Sequence, residues 1–131
     1  MKTAVKDFDG VNFVVPVQLE FPNKIKNCCG PSGLLGKIIP EAVWGLRVSS
    51  ICYIHDFCFD ISEPTWEDFH VSNTLFMTNA LILIQAHPSK FGILNAMRVY
   101  RVATYYNAID LIGPKFFWGL KEEQGYLCTD K

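Results

Sequence analysis

Residues 51–59 read Ile-Cys-Tyr-Ile-His-Asp-Phe-Cys-Phe, so His55 and Asp56 stand side by side inside an otherwise apolar run. Removing two titratable groups from water is unfavourable by several kcal/mol unless each finds a partner or changes protonation. A hard cation on the carboxylate and a water or carboxamide on the imidazole would supply those partners, which makes the pair the leading candidate site. Upstream, Cys28-Cys29-Gly30-Pro31-Ser32-Gly33 suits the same chemistry, because glycine lets main-chain carbonyls turn toward an ion. Consecutive helical residues differ by about 100° in direction, so His55 and Asp56 are expected to flank one cleft rather than address one point. In that cleft Asp56 would hold the cation and His55 would activate a water. A zinc site from Cys52, His55 and Cys58 with Cys28 or Cys29 fits less well, since Cys52 and Cys58 point about 120° apart on one helix.

These residues need a scaffold. Val48, Ile51, Cys52, His55 and Phe59 follow an i, i+3, i+4, i+7, i+11 stripe, which predicts a helix from Val48 with His55 facing inward. Tyr53, Ile54, Phe57 and Cys58 make its other faces apolar too, so this helix is expected to be the central pillar. Thr65 and Asp68 form a capping-box pattern with Glu67 at the positive helix end, and predict a second helix over 66–85. Beyond Pro88 and Ser89 a third helix is expected from about Lys90 to Ile112, stopped by Gly113-Pro114. Ahead of the helices, Val11, Phe13, Val15, Val17, Leu19 and Phe21 alternate with more polar residues and predict one strand, placed at an edge by Pro16. Residues 22–47 carry so many glycines and prolines that a shaped loop is expected there, and the tail from Lys115 shows no convincing period.

The 131 residues, half of them apolar and 19% charged, fit one domain with a dense core. A formal charge of −1 without clustered Lys and Arg argues against nucleic-acid binding. The longest aliphatic run, residues 80–84, is far short of the roughly 20 residues that cross a bilayer. The first ten residues lack the apolar core of a secretory signal, so a cytoplasmic location is the default expectation, with export by another route left open. Five cysteines leave at least one thiol free in any monomeric pairing scheme.

Taken together, Cys29-Gly30-Pro31-Ser32-Gly33 and Cys52-Tyr53-Ile54-His55-Asp56-Phe57-Cys58-Phe59 resemble the secretory phospholipase A2 superfamily, whose pattern is a Cys-Gly-x-Gly-type calcium loop followed by a helical Cys-x-x-His-Asp-x-Cys-Tyr. Asn73-x-x-Phe76 looks like the second helix of the smaller bacterial and phage-related members, and the likeness spans roughly residues 28–80. With the strand and helix patterns above, the expectation is one mainly α, phospholipase A2-like domain over 1–131 with two to three packed helices: an N-terminal strand segment (1–27), a Gly-rich calcium-type loop (28–47), a helical core (48–113) and a tail (114–131). The resemblance implies hydrolysis of a phospholipid ester, with His55 taking a proton from water and Asn73 in the place of the orienting carboxylate. Ca2+ would be held by Asp56 and the main-chain oxygens of Cys28, Gly30 and Ser32, and Cys29 and Cys52 match the loop-to-helix disulfide.

The chain departs from the family pattern in three ways. An amide at Asn73 cannot stabilise an imidazolium as a carboxylate does, Phe59 stands where a hydroxyl is expected, and the stretch from Gly30 to His55 is longer than in the animal enzymes. Tyr105 and Tyr106 are candidates to restore the hydroxyl. The competing expectation is a non-catalytic binding or structural module built on the same scaffold. Asn73 and Asn79 would then brace backbone, His70 and His87 would be solvated near helix ends, and Trp44, Trp66 and Trp118 would anchor the core and loops.

Overall fold

The computed structural model describes residues 1–25, 39–40 and 42–128. In chain order they form β1 (Thr3–Phe8), β2 (Val11–Pro16), β3 (Ala42–Val43), β4 (Leu46–Arg47), α1 (Ser49–Ile61), α2 (Trp66–Ala86) and α3 (Gly92–Glu123). The chain is mainly helical, with a short N-terminal sheet, and among the described residues no helix is long and apolar enough to cross a membrane.

Where one N-terminal strand was expected, the structure has a hairpin. β1 pairs antiparallel with β2, Thr3 opposite Pro16 and Phe8 opposite Val11. The turn is Asp9-Gly10, with φ of 55° and 80°, the doubly left-handed geometry that matches the twist of a two-residue hairpin and that Asp-Gly adopts most readily. Val11, Phe13 and Val15 are buried as the alternation predicts, but the strand ends at Pro16 and Val17 points to solvent. A tight turn closed by Leu19 N–H to Pro16 O at 3.0 Å then returns Leu19 to the core. A second two-residue turn, Trp44-Gly45 with φ of 48° and 79°, joins β3 to β4, so part of the breaker-rich stretch is a small hairpin rather than loop.

α1 carries the expected stripe: Val48, Ile51, Cys52, His55 and Phe59 are all buried. It is not the central element, however, because Asp56 and Asp60 face solvent. That place belongs to α2, which packs against α1, α3 and β2. Thr65 Oγ1 accepts from Asp68 N–H at 3.2 Å, as the capping pattern predicts, while the Asp68 carboxylate accepts from Glu63 N–H at 2.9 Å instead of from the cap residue. Midway along α2, the Asn79 carboxamide spans the open edge of β2, accepting from Val14 N–H and donating to Val14 O, both at 2.8 Å. The side chain thereby does for Val14 what a further strand would do.

The third helix overruns its expected stop. α3 continues through Gly113 and Pro114 to Glu123, although a proline there removes one helical hydrogen bond and crowds the preceding turn. The compensation is packing. Phe117 meets Phe59 and Phe69 edge-on, with ring centroids 5.1 and 5.4 Å apart, and Trp118 meets Trp66 at 5.5 Å. Lys121, fully buried, donates to Asp60 O at 3.3 Å and Gln124 Oε1 at 2.9 Å, tying the last turns of α3 to the end of α1. The region expected to be an irregular tail is therefore part of the core.

Candidate functional site

α1 and α2 bring His55 and Asn73 together. His55 Nε2 lies 2.9 Å from Asn73 Oδ1, and both side chains are almost wholly removed from solvent, at 1% and 0% exposure. Asn73 Nδ2 in turn donates to Asp110 Oδ1 of α3 at 3.3 Å. That second bond fixes the polarity of the first: an amide NH2 must face the carboxylate, so the amide oxygen faces the imidazole. His55 Nε2 therefore carries the proton and donates, and Nδ1 holds a bare lone pair.

Nδ1 is buried and has no hydrogen-bond partner among the described residues. A histidine kept only for packing would be expected to satisfy both nitrogens, since an unpaired buried acceptor costs about 1–3 kcal/mol. Around the ring stand Phe59, with centroids 4.3 Å apart, and Phe76, at 5.7 Å. This apolar surround disfavours the charged imidazolium and lowers the His55 pKa to about 4, the Asn73 bond opposing it only in part. His55 is thus a neutral base at physiological pH, held in one tautomer.

Asp56, the next residue, points the other way. Its carboxyl is raised to about 7 by the protein packed around it, yet the residue keeps contact with solvent, which works against that rise. The expected shared cleft is not formed by the described residues: His55 is sealed and Asp56 open. Cys28, Cys29, Gly30 and Ser32, the other expected ligand and disulfide positions, lie outside the described residues. Cys52 is disulfide-bonded, whereas Cys58 and Cys128 are free thiols. No group of three or more His, Cys, Asp or Glu side chains is gathered for a metal among the described residues.

Tyr105 and Tyr106 are half-buried against the core, and among the described residues no hydrogen bond links either hydroxyl to His55, Asn73 or Asp110. Asp110 and His70 were missed by sequence reasoning. His70 Nδ1 lies 3.4 Å from Asp110 Oδ1, with both side chains partly exposed, so His55, Asn73, Asp110 and His70 form one chain of contacts from the core to the surface. The spacing of His70 and Asn73, three apart on one helix face, was a legible signal; that Asp110 of a different helix closes the chain was not.

No family model matches the chain, and no curated protein or solved structure matches it.

Proposed function

We propose that the chain hydrolyses the ester of a phospholipid with a water activated at His55 Nδ1. The observation that carries this reading is the imidazole itself, neutral, fixed in one tautomer by Asn73 and Asp110, with its other nitrogen bare. In the reaction, Nδ1 takes a proton from water as the oxygen attacks the ester carbonyl, and returns it to the leaving alkoxide. Asn73 Oδ1 keeps Nε2–H aimed and so keeps Nδ1 presented, while the Asp110 carboxylate, one bond further back, supplies the negative charge that the amide lacks. Because that charge is relayed rather than direct, the imidazolium is less stabilised than it would be beside a carboxylate.

Asp56 is the residue that would hold Ca2+, with the main-chain oxygens of Cys28, Gly30 and Ser32. A carboxyl pushed upward with no cation partner among the described residues is one that a bound cation would relieve. When bound, the ion would stabilise the oxyanion that develops on the ester carbonyl. A Cys29–Cys52 bridge would hold the loop beside α1.

Fatty-acid release from mixed phospholipid vesicles, with and without calcium, tests the reading. Calcium-dependent release that His55→Gln abolishes supports it; no release from the wild type refutes it. The sealing of the ring, at 1% exposure between Phe59 and Phe76, favours a second reading, a non-catalytic binding or structural module. On that reading vesicles are untouched and His55→Gln alters stability alone. Calorimetry of calcium binding to wild type and Asp56→Asn tests the metal step, and equal heats would remove Asp56 from the ligand set.

A further inference from the structure

A cavity of about 640 Å3 opens away from the imidazole, between the turn of the β1–β2 hairpin, the β3–β4 hairpin, the start of α1 and the junction of α2 with α3. Among the described residues its walls include the basic side chains of Lys24, Arg47 and Arg98 and the carboxylate of Asp9, and Arg47 Nε donates to Ser49 Oγ at 3.2 Å. His55, Asp56, Asn73 and Asp110 are not among the residues that line it.

Arg98 is the decisive wall residue. It is 9% exposed, and its Nε and Nη2 donate to Trp44 O at 3.2 and 2.9 Å while Nη1 donates to His87 O at 3.1 Å. All of these acceptors are neutral carbonyls, and among the described residues no carboxylate pairs with the guanidinium. Three of its five N–H groups are used and its full charge is left uncompensated. A cation taken this far from water is ordinarily accompanied by an anion, because isolated burial is unfavourable by several kcal/mol.

Ser50 points to the same occupant independently. It too is 9% exposed and lines the cavity, and its hydroxyl has no hydrogen-bond partner among the described residues. It stands in the first turn of α1, whose preceding residue, Val48, offers no side-chain cap and whose first turn holds no acidic residue. The positive end of the helix is thus unneutralised by its own sequence. The same cavity is also lined by hydrocarbon, from Phe8, Phe13, Ile25, Leu46 and Leu83. Its walls thus offer donors to an oxyanion and hydrocarbon to a chain of methylenes.

We propose that this cavity binds an amphipathic oxyanion, a phosphate or carboxylate head carrying a hydrocarbon tail, with the head at Arg98 and Ser50 and the tail over Phe8, Phe13 and Leu83. The site is separate from His55 and stands whether or not the chain hydrolyses lipid. The shared head-group chemistry can come from a lipid-like molecule or from a free ion, and calorimetry on the full chain separates the two. The probes are dodecyl phosphate below its micellar concentration and inorganic phosphate. Dodecyl phosphate is expected to bind at least tenfold more tightly than inorganic phosphate. Ser50→Asp, which sets a carboxylate where the head would lie, should weaken it at least tenfold and Ser50→Ala several-fold, and neither change removes apolar packing. His55→Gln should leave it unaltered. Equal affinities for the two probes would overturn the tail, and no heat from either would overturn the site. Loss of binding in His55→Gln with full retention in Ser50→Asp would overturn the placement.

Discussion

The sharpest consequence of a sealed, neutral imidazole is a specific loss of stability in mild acid. An ordinary histidine titrates at 6.5, whereas His55 does so at about 4 in the folded chain. Between those values the unfolded state binds a proton that the folded state refuses, so this contribution is fully present above pH 6.5 and is lost as the pH falls toward 4. The slope is about 1.4 kcal/mol per pH unit in the middle of that window, and about 2 kcal/mol is lost between pH 7 and pH 5. Asp56 acts in the opposite sense. Its carboxyl is raised to about 7, so its folded form retains a proton, and its contribution is present at low pH and lost as the pH rises through 7. The wild-type curve alone therefore mixes two trends. Comparing wild type with His55→Gln by urea unfolding at pH 7, 6 and 5 cancels Asp56 and every other shared group. The wild type should lose about 2 kcal/mol more than the variant from pH 7 to pH 5. Parallel curves, agreeing within about 0.5 kcal/mol, would refute the claim that the ring is buried in its neutral form.

Further outcomes follow from other contacts. Phe59→Ala should cost about 3–5 kcal/mol and, by letting water reach the imidazole, move the His55 NMR titration upward from about 4. Asn79→Ala strips Val14 N–H and O of their partner on the open edge of β2 and should cost about 2 kcal/mol, with faster amide exchange at Val14. Pro114→Ala returns an N–H to the interior of α3 and should raise stability by about 1 kcal/mol in urea unfolding, provided the aromatic contacts beyond it are kept. If Asp56 holds calcium, protons compete for it, and affinity measured by calorimetry should fall up to about tenfold from pH 8 to pH 6.

Local rules carried much of this protein. The stripe through Val48, Ile51, Cys52, His55 and Phe59 and the cap at Thr65 were legible because helix periodicity and capping depend on neighbours a few residues apart. Asp9-Gly10 was equally local, and it marks the hairpin that the alternation from Val11 onward did not reveal by itself. Tertiary packing decided the rest. Gly113-Pro114 is a strong stop by local rules, yet Phe117, Trp118 and Lys121 bury enough against Phe59, Phe69, Trp66 and Asp60 to carry the helix through it.

Sequence by itself determined that His55 faces inward on a helix, because that statement rests on a period of three to four residues; Asn73 as its partner was implied only by the family resemblance. Only the assembled structure decided which way the amide is turned, since that depends on Asp110, 37 residues further along the chain. It also decided which ring nitrogen is left bare, and it seated Arg98 of α3 on the carbonyl of Trp44, 54 residues away. Contacts between residues so far apart have no period to betray them. They exist because the described helices and hairpins must close around one core, and the polar groups caught in that closure take whatever partners the packing leaves within reach.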